Sequence, residues 1–209
     1  MPEQFKVYLF DLDGTLLDSA QDICGAVQQV LSPHLPEPLP FEYLRGFVGF
    51  HLDAVFTRVL PNATREQLDE LIAAYKTTYL ARKHASTRLF PGVLESLENL
   101  GGRKATATTK GTPTTRAVLE QFGLLRFFDH VQGTDGFPCK PAPDVIEHSL
   151  AALGARPEDC LFVGDSAADM EAGRRAGVRI CAVDYGYGGA EALARWKPDY
   201  SVSDLRELL

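Results

Sequence analysis

The stretch KVYLFDLDGTLLDSA, residues 6–20, decides how the rest of the chain is read. Its first five residues form a short apolar run of the kind that suits a buried strand. Asp11 and Asp13 follow, separated only by Leu12. Side chains alternate between two faces in extended chain, so the two acids point the same way if the strand continues. Like charges side by side at a strand end repel, and a neutralising partner has to come from elsewhere in the sequence.

Working outward, residues 104–108, 128–132, 161–164 and 180–183 are further strand-like runs. Helical patterns lie between or beside them at 93–100, 114–122, 144–153 and 167–176. Strands alternating with helices predict an α/β fold, a Rossmann-like parallel sheet core with helices on both faces. Helix punctuation agrees: Thr112 is placed to cap a helix that has Pro113 in its first turn, and Gly123, Gly154 and Gly177 each follow a helical run. Right-handed crossovers then bring the carboxyl ends of the strands, and any ligand site, to one edge.

One region breaks the alternation. Residues 19–85 are mostly helical, with a proline-rich interruption at 33–38 and apolar positions at helical spacing in 53–60 and 65–82. About 65 residues are too many for one ordinary crossover connection. The expected organisation is a core of residues 1–17 and 86–209 with an inserted α-helical cap, 18–85, and FPGV at 90–93 marks the return to the core.

Four separated segments place polar groups just beyond an apolar strand. They begin at Asp11, at Thr106 (running on through Thr108, Thr109 and Lys110), at Cys139 (with Lys140) and at Gly164 (with Asp165, Ser166 and Asp169). In a parallel sheet all four meet at one edge. Asp11, Asp13, Asp165 and Asp169 outnumber Lys140, with Lys110 as a possible second cation. A hard divalent cation with oxygen ligands would neutralise that excess, and Mg2+ suits a site with two or three carboxylates, waters and a phosphate. Beside such an ion a carboxylate can attack phosphorus to give an aspartyl-phosphate. A neighbouring acid can protonate the leaving oxygen and later activate water.

The chain resembles the haloacid dehalogenase superfamily, in its phosphatase branch. DLDGTLLDS (11–19), KPAPD (140–144), GDSAADM (164–170), FPGV (90–93) and PDYSVSDLREL (198–208) match family segments in order, over nearly the whole chain. The resemblance implies that Asp11 is nucleophile and Mg2+ ligand, and that Asp13 is the acid and base, its carbonyl also on the metal. It implies that Asp165 is a further Mg2+ ligand, that Thr108 and Lys140 hold phosphate, and that Asp169, with Ser166 beside it, orients Lys140 or a metal-bound water. The family's second motif usually reads TNK; here Thr109 stands for the asparagine, with its backbone N–H still available to phosphate. The nearest overall resemblance is to phosphoglycolate phosphatase. Rivals are a phosphosugar mutase of the β-phosphoglucomutase type, a sugar-phosphate, nucleotide or pyrophosphate phosphatase, and a catalytically silent binding protein.

Within the expected cap, residues 45–51 interrupt the helical pattern with two glycines and a cation. Arg45, Gly46 and His51 are candidates for contacting the non-phosphate end of a substrate, Arg45 by a bidentate bond to a carboxylate. The plainer alternative is an ordinary turn with a surface arginine. Likewise Asp169 alone would serve as a favourable charge at a helix start.

Composition bounds the remainder. The net charge is −7 with scattered basic residues, which disfavours nucleic acid as a partner, and a small phosphorylated metabolite is expected instead. No run approaches the ~20 apolar residues of a bilayer span, and no secretory leader is evident, so no membrane and a cytoplasmic location are expected. Four dispersed cysteines form neither a disulfide framework nor a zinc site; Cys160 and Cys181 are expected to be small core residues. A monomer or homodimer is the expected state.

Overall fold

A computed structural model describes residues 4–209. The chain opens with strand β1 (Val7–Phe10), then β2 (Leu17–Asp18) and the helices α1 (Ala20–Leu31), α2 (Phe41–Arg45), α3 (Leu52–Val59) and α4 (Arg65–Ala81). It returns through β3 (Arg88–Leu89), α5 (Val93–Asn99), β4 (Arg103–Thr106), α6 (Thr112–Gln121), α7 (Asp144–Leu153) and β5 (Cys160–Gly164). The final elements are α8 (Ala167–Ala176), β6 (Arg179–Val183), α9 (Ala190–Ala194) and β7 (Tyr200–Val202).

Five strands form a sheet in the order β4-β1-β5-β6-β7, and every pairing is parallel. The central strands β1 and β5 are buried at every position and alternate their side chains between two hydrophobic cores, which is why those runs are apolar throughout. Tyr8, Phe10, Leu161, Val163, Cys181 and Val183 face one core with α5 and α6. Val7, Leu9, Ala105, Phe162, Ile180 and Ala182 face the other with α7 and α8. Cys160 and Cys181 are fully buried in these cores, as their setting predicted. No described helix is long and apolar enough to cross a membrane.

The predicted strand at 128–132 does not form. His130 makes an isolated bridge to Ala105, and the flanking donors go to side chains: Lys104 N donates to Asp129 Oδ2 and Gln132 N to Thr106 Oγ1. Backbone bonds from Asp129 N to Lys104 O (2.8 Å) and from Thr106 N to His130 O (3.3 Å) remain, and the side-chain acceptors take the donors on either side of that short ladder. Thr112 also differs from expectation. It is the first helical residue of α6, Gly111 holds the cap position, and the Thr112 hydroxyl accepts from Gly133 N. Four elements were not anticipated: β7, α9, and the strands of the antiparallel pair β2–β3, which joins Leu17 to Leu89 and Asp18 to Arg88.

That pair sets the exit and return of the chain side by side. Helices α1 to α4 lie between them and share their own apolar cluster, built on Val27, Leu31, Phe56, Leu68, Leu71 and Tyr75. Buried Asp22, in the first turn of α1, accepts from Arg82 Nε (3.2 Å), Ser86 N (2.9 Å) and Thr87 Oγ1 (2.8 Å). One carboxylate thereby ties the outgoing helix to the returning linker.

Candidate active site

The loop after β1 carries Asp11, whose backbone N–H donates to Val163 O at 2.9 Å, so the loop stays in register with β5. Gly14 lets the chain turn back beneath the neighbouring loop. Its φ is +94°, and a Cβ there would lie 2.3 Å from Asp165 Oδ2. Only glycine fits both demands.

Four loops meet at the carboxyl edge of the sheet, as the motif spacing predicted. Lys140, from the loop before α7, is buried with its ammonium 2.8 Å from Asp11 Oδ1, 2.5 Å from Asp169 Oδ1 and 3.1 Å from Ala107 O. Asp169 is also the N3 residue of a capping box: its Oδ2 accepts from Ser166 N (2.9 Å) and Ser166 Oγ (2.6 Å). Asp169 thus serves the start of α8 with one oxygen and meets Lys140 with the other.

Asp165 accepts from Thr15 Oγ1 at 3.0 Å and from Tyr187 N at 2.8 Å. Asp11, Asp165 and Asp169 are all buried and offer carboxylate oxygens within 4.8 Å of one another. The Asp13 carboxylate stands outside this cluster. Its Oδ1 accepts from Ser19 Oγ at 2.7 Å, and its Oδ2 lies 3.0 Å from Lys110 Nζ. The two acids of the opening motif thus have separate lysine partners.

Electrostatics follow from this crowding. Burial lifts the Asp11 carboxyl from 3.8 to about 6, with Lys140 opposing and Asp169 adding to the rise. Burial, then the charges of Asp169 and Asp11, hold Asp165 well above the usual carboxylate range. Burial alone would depress Lys140, but Asp11 and Asp169 more than offset it and leave the ammonium above its ordinary value. Asp13 and the Tyr75 and Tyr79 hydroxyls do the same for Lys110 against its burial.

Thr108 is buried and its Oγ1 accepts from Lys110 N at 3.3 Å; the Thr109 hydroxyl is buried without a partner among the described residues. Asp11, Asp13, Thr108, Thr109 and Lys110 line one cavity of about 480 Å3, which extends to α1, α3 and α4. His51 lines it too and caps α3, its Nδ1 accepting from Asp53 N at 3.4 Å. Arg45 and Gly46 do not line it. Arg45 pairs with Glu42 at 3.2 Å and sits 5.4 Å above the Tyr187 ring.

Two residues escaped sequence reasoning. Tyr187 donates its N–H to Asp165, and its hydroxyl lies 2.8 Å from Ser19 N, 3.0 Å from Ala20 N and 2.9 Å from Asp18 Oδ1. It caps α1 in place of Ser19, whose own hydroxyl is committed to Asp13. Tyr79 of α4 places its hydroxyl 3.3 Å from Lys110 Nζ, with the ammonium 4.6 Å from its ring centroid. Tyr79 at helical spacing reads as core and Tyr187 sits in the loop between β6 and α9 outside any motif, so neither contact has a local signal.

The model of the haloacid dehalogenase-like hydrolases matches residues 8–183. Phosphoglycolate phosphatase 1 of Pseudomonas aeruginosa is 33% identical over 214 residues, 98% of this chain and 78% of that protein. The phosphoglycolate phosphatase of Aquifex aeolicus is 33% identical over 208 residues, 98% of this chain and 95% of that protein. A solved hydrolase of the haloacid dehalogenase-like family from Streptococcus pneumoniae superposes with a TM-score of 0.87 at 29% identity, covering 98% of this chain and 96% of that one. The chain belongs to the haloacid dehalogenase-like hydrolase family, and is an enzyme of its phosphatase branch.

Proposed function

We propose that the site hydrolyses a small phosphomonoester with Mg2+ through an aspartyl-phosphate on Asp11. The observation that carries this is Lys140, buried between Asp11 and Asp169 in the same cluster as Asp165. Three buried carboxylates against one lysine leave negative charge uncompensated, and an all-oxygen donor set suits a hard divalent ion. Asp11 and Asp165, with the Asp13 carbonyl, would hold it, and the bound ion would spread charge on the transferring phosphoryl oxygens.

Lys140 engages Asp11 Oδ1, which leaves Oδ2 to attack phosphorus while the ester P–O bond breaks. Asp13 gives the leaving oxygen its proton, then takes one from the water that splits the acyl phosphate and frees Asp11. Thr108 and the unpartnered hydroxyl of Thr109 line the cavity where phosphate oxygens would need donors, together with the Thr109 N–H. Because relatives are phosphoglycolate phosphatases, 2-phosphoglycolate is the first substrate to test.

Phosphate release should be followed across a panel of small phosphorylated metabolites, with Mg2+ and with chelator. Release that needs Mg2+, and a phosphate adduct on Asp11 in rapidly quenched samples, are expected. Release unaffected by chelation, or no release from any ester, would overturn the proposal.

A further inference from the structure

We infer that the leaving group this site takes is an uncharged apolar alcohol, so that its substrate class is alkyl and aryl phosphomonoesters. The inference rests on the phosphatase reading above. The cavity that starts at Asp11 and Thr108 holds about 480 Å3, within the ~300–1,000 Å3 range of pockets that enclose drug-sized ligands. A two-carbon leaving group would leave most of it unfilled.

The walls beyond the phosphate end are largely apolar, with His51, Tyr75, Lys76 and Tyr79 among them. Val27, Leu44, Phe47, Val55 and Ile72 come from α1 to α4 and the loop after α2. Phe50 and Leu80 border the same space and are 56% and 59% exposed, which is apolar surface that an apolar ligand would cover. Phe50 stands edge-on to Phe47 with ring centroids 5.8 Å apart, an aromatic pair able to receive a ring or a chain.

Among the described lining residues no buried cation is left without an acidic partner; His51, also in the lining, is exposed and caps α3 through its Nδ1. Lys110 is paired with Asp13, and Arg45 lies outside the cavity with Glu42 and Tyr187. Lys76, the one lysine that the four helices contribute to the lining, is exposed to solvent. A carboxylate pushed against Val27 and Val55 would lose its water with no partner gained.

The test measures the affinity of ethyl-, butyl- and hexylphosphonate, whose C–P bond resists hydrolysis, and kcat/KM for the matching alkyl phosphates and 2-phosphoglycolate. A methylene fully removed from water contributes up to about fourfold. Affinity should therefore rise at least about tenfold from ethyl to hexyl, allowing for partial burial. Hexyl phosphate should also exceed 2-phosphoglycolate in kcat/KM. Phe50→Ala, at an exposed position, should flatten the phosphonate series while leaving inorganic phosphate binding unchanged. A series that is flat or falls with length, or a preference for 2-phosphoglycolate, would overturn the inference. Length-dependent phosphonate binding without hydrolysis of any ester would support the apolar pocket and overturn the phosphatase reading alone.

Discussion

The ammonium of Lys140 lies 2.8 Å from Asp11 Oδ1, deep enough that neither side chain exposes more than 5% of its surface. A buried ion pair of this kind makes each partner costly to remove, because the other is left charged and unsolvated. Lys140→Met should lower stability in chelator by roughly 3–5 kcal/mol, a Tm loss of roughly 6–20 °C for a chain of this size. Thermal unfolding followed by circular dichroism reads this directly; an unchanged Tm would mean that Asp11 and Asp169 are already neutral without their lysine.

Asp11→Asn preserves shape and removes the nucleophilic charge. Turnover should fall by at least about 10^3-fold, since loss of a covalent nucleophile disables the step that all later chemistry depends on. The circular dichroism spectrum should be retained. Activity within tenfold of the parent would remove Asp11 from the nucleophile role.

The Asp11 carboxyl sits at about 6 in the fold against 3.8 for its unperturbed value, so the native state holds the proton more tightly than the unfolded chain does. Its contribution to stability falls as pH rises through that window and is constant above it. An ion bound to ionised Asp11 relieves that penalty above the window, whereas below it the ion must first displace a proton. At one fixed Mg2+ concentration, the gain in Tm should therefore be larger at about pH 7.5 than at about pH 5. Equal gains at both values would place the ion away from Asp11.

Asp22 is 1% exposed and serves three donors in the segment that re-enters the core. Asp22→Ala should cost roughly 2–4 kcal/mol, from stranded donors at Ser86, Thr87 and Arg82. Limited proteolysis should cut earliest between Arg82 and Arg88, the stretch that the carboxylate fastens. A cleavage pattern identical to the parent's would show that the β2–β3 pair alone holds the linker.

The sheet was legible because a buried parallel strand must be apolar throughout and must end where its polar loop begins. Both features are local, and they located β1, β5 and β6 to within a residue. The loss of the 128–132 strand has the opposite origin: Asp129 and Thr106 intercept the donors, an outcome set by a neighbour distant in the chain. The short β2–β3 pair, two residues on each side, was invisible for want of any periodicity.

The candidate acids and Lys140 stood out in the sequence by residue type, by order and by the family resemblance, since phosphoryl chemistry needs such groups and the strand ends can present them. Which acid meets which lysine was a matter of folding. Lys140 turns to Asp11 and Asp169, while Lys110 takes Asp13 against Tyr79, because those atoms are brought within about 3 Å only when four loops are packed at one sheet edge. The same holds for Arg45, whose charge looked available for substrate and is instead spent on Glu42 and the Tyr187 ring. Local sequence dictated the elements and the chemical inventory; through-space packing decided the pairings, the apolar cavity and therefore what the site can admit.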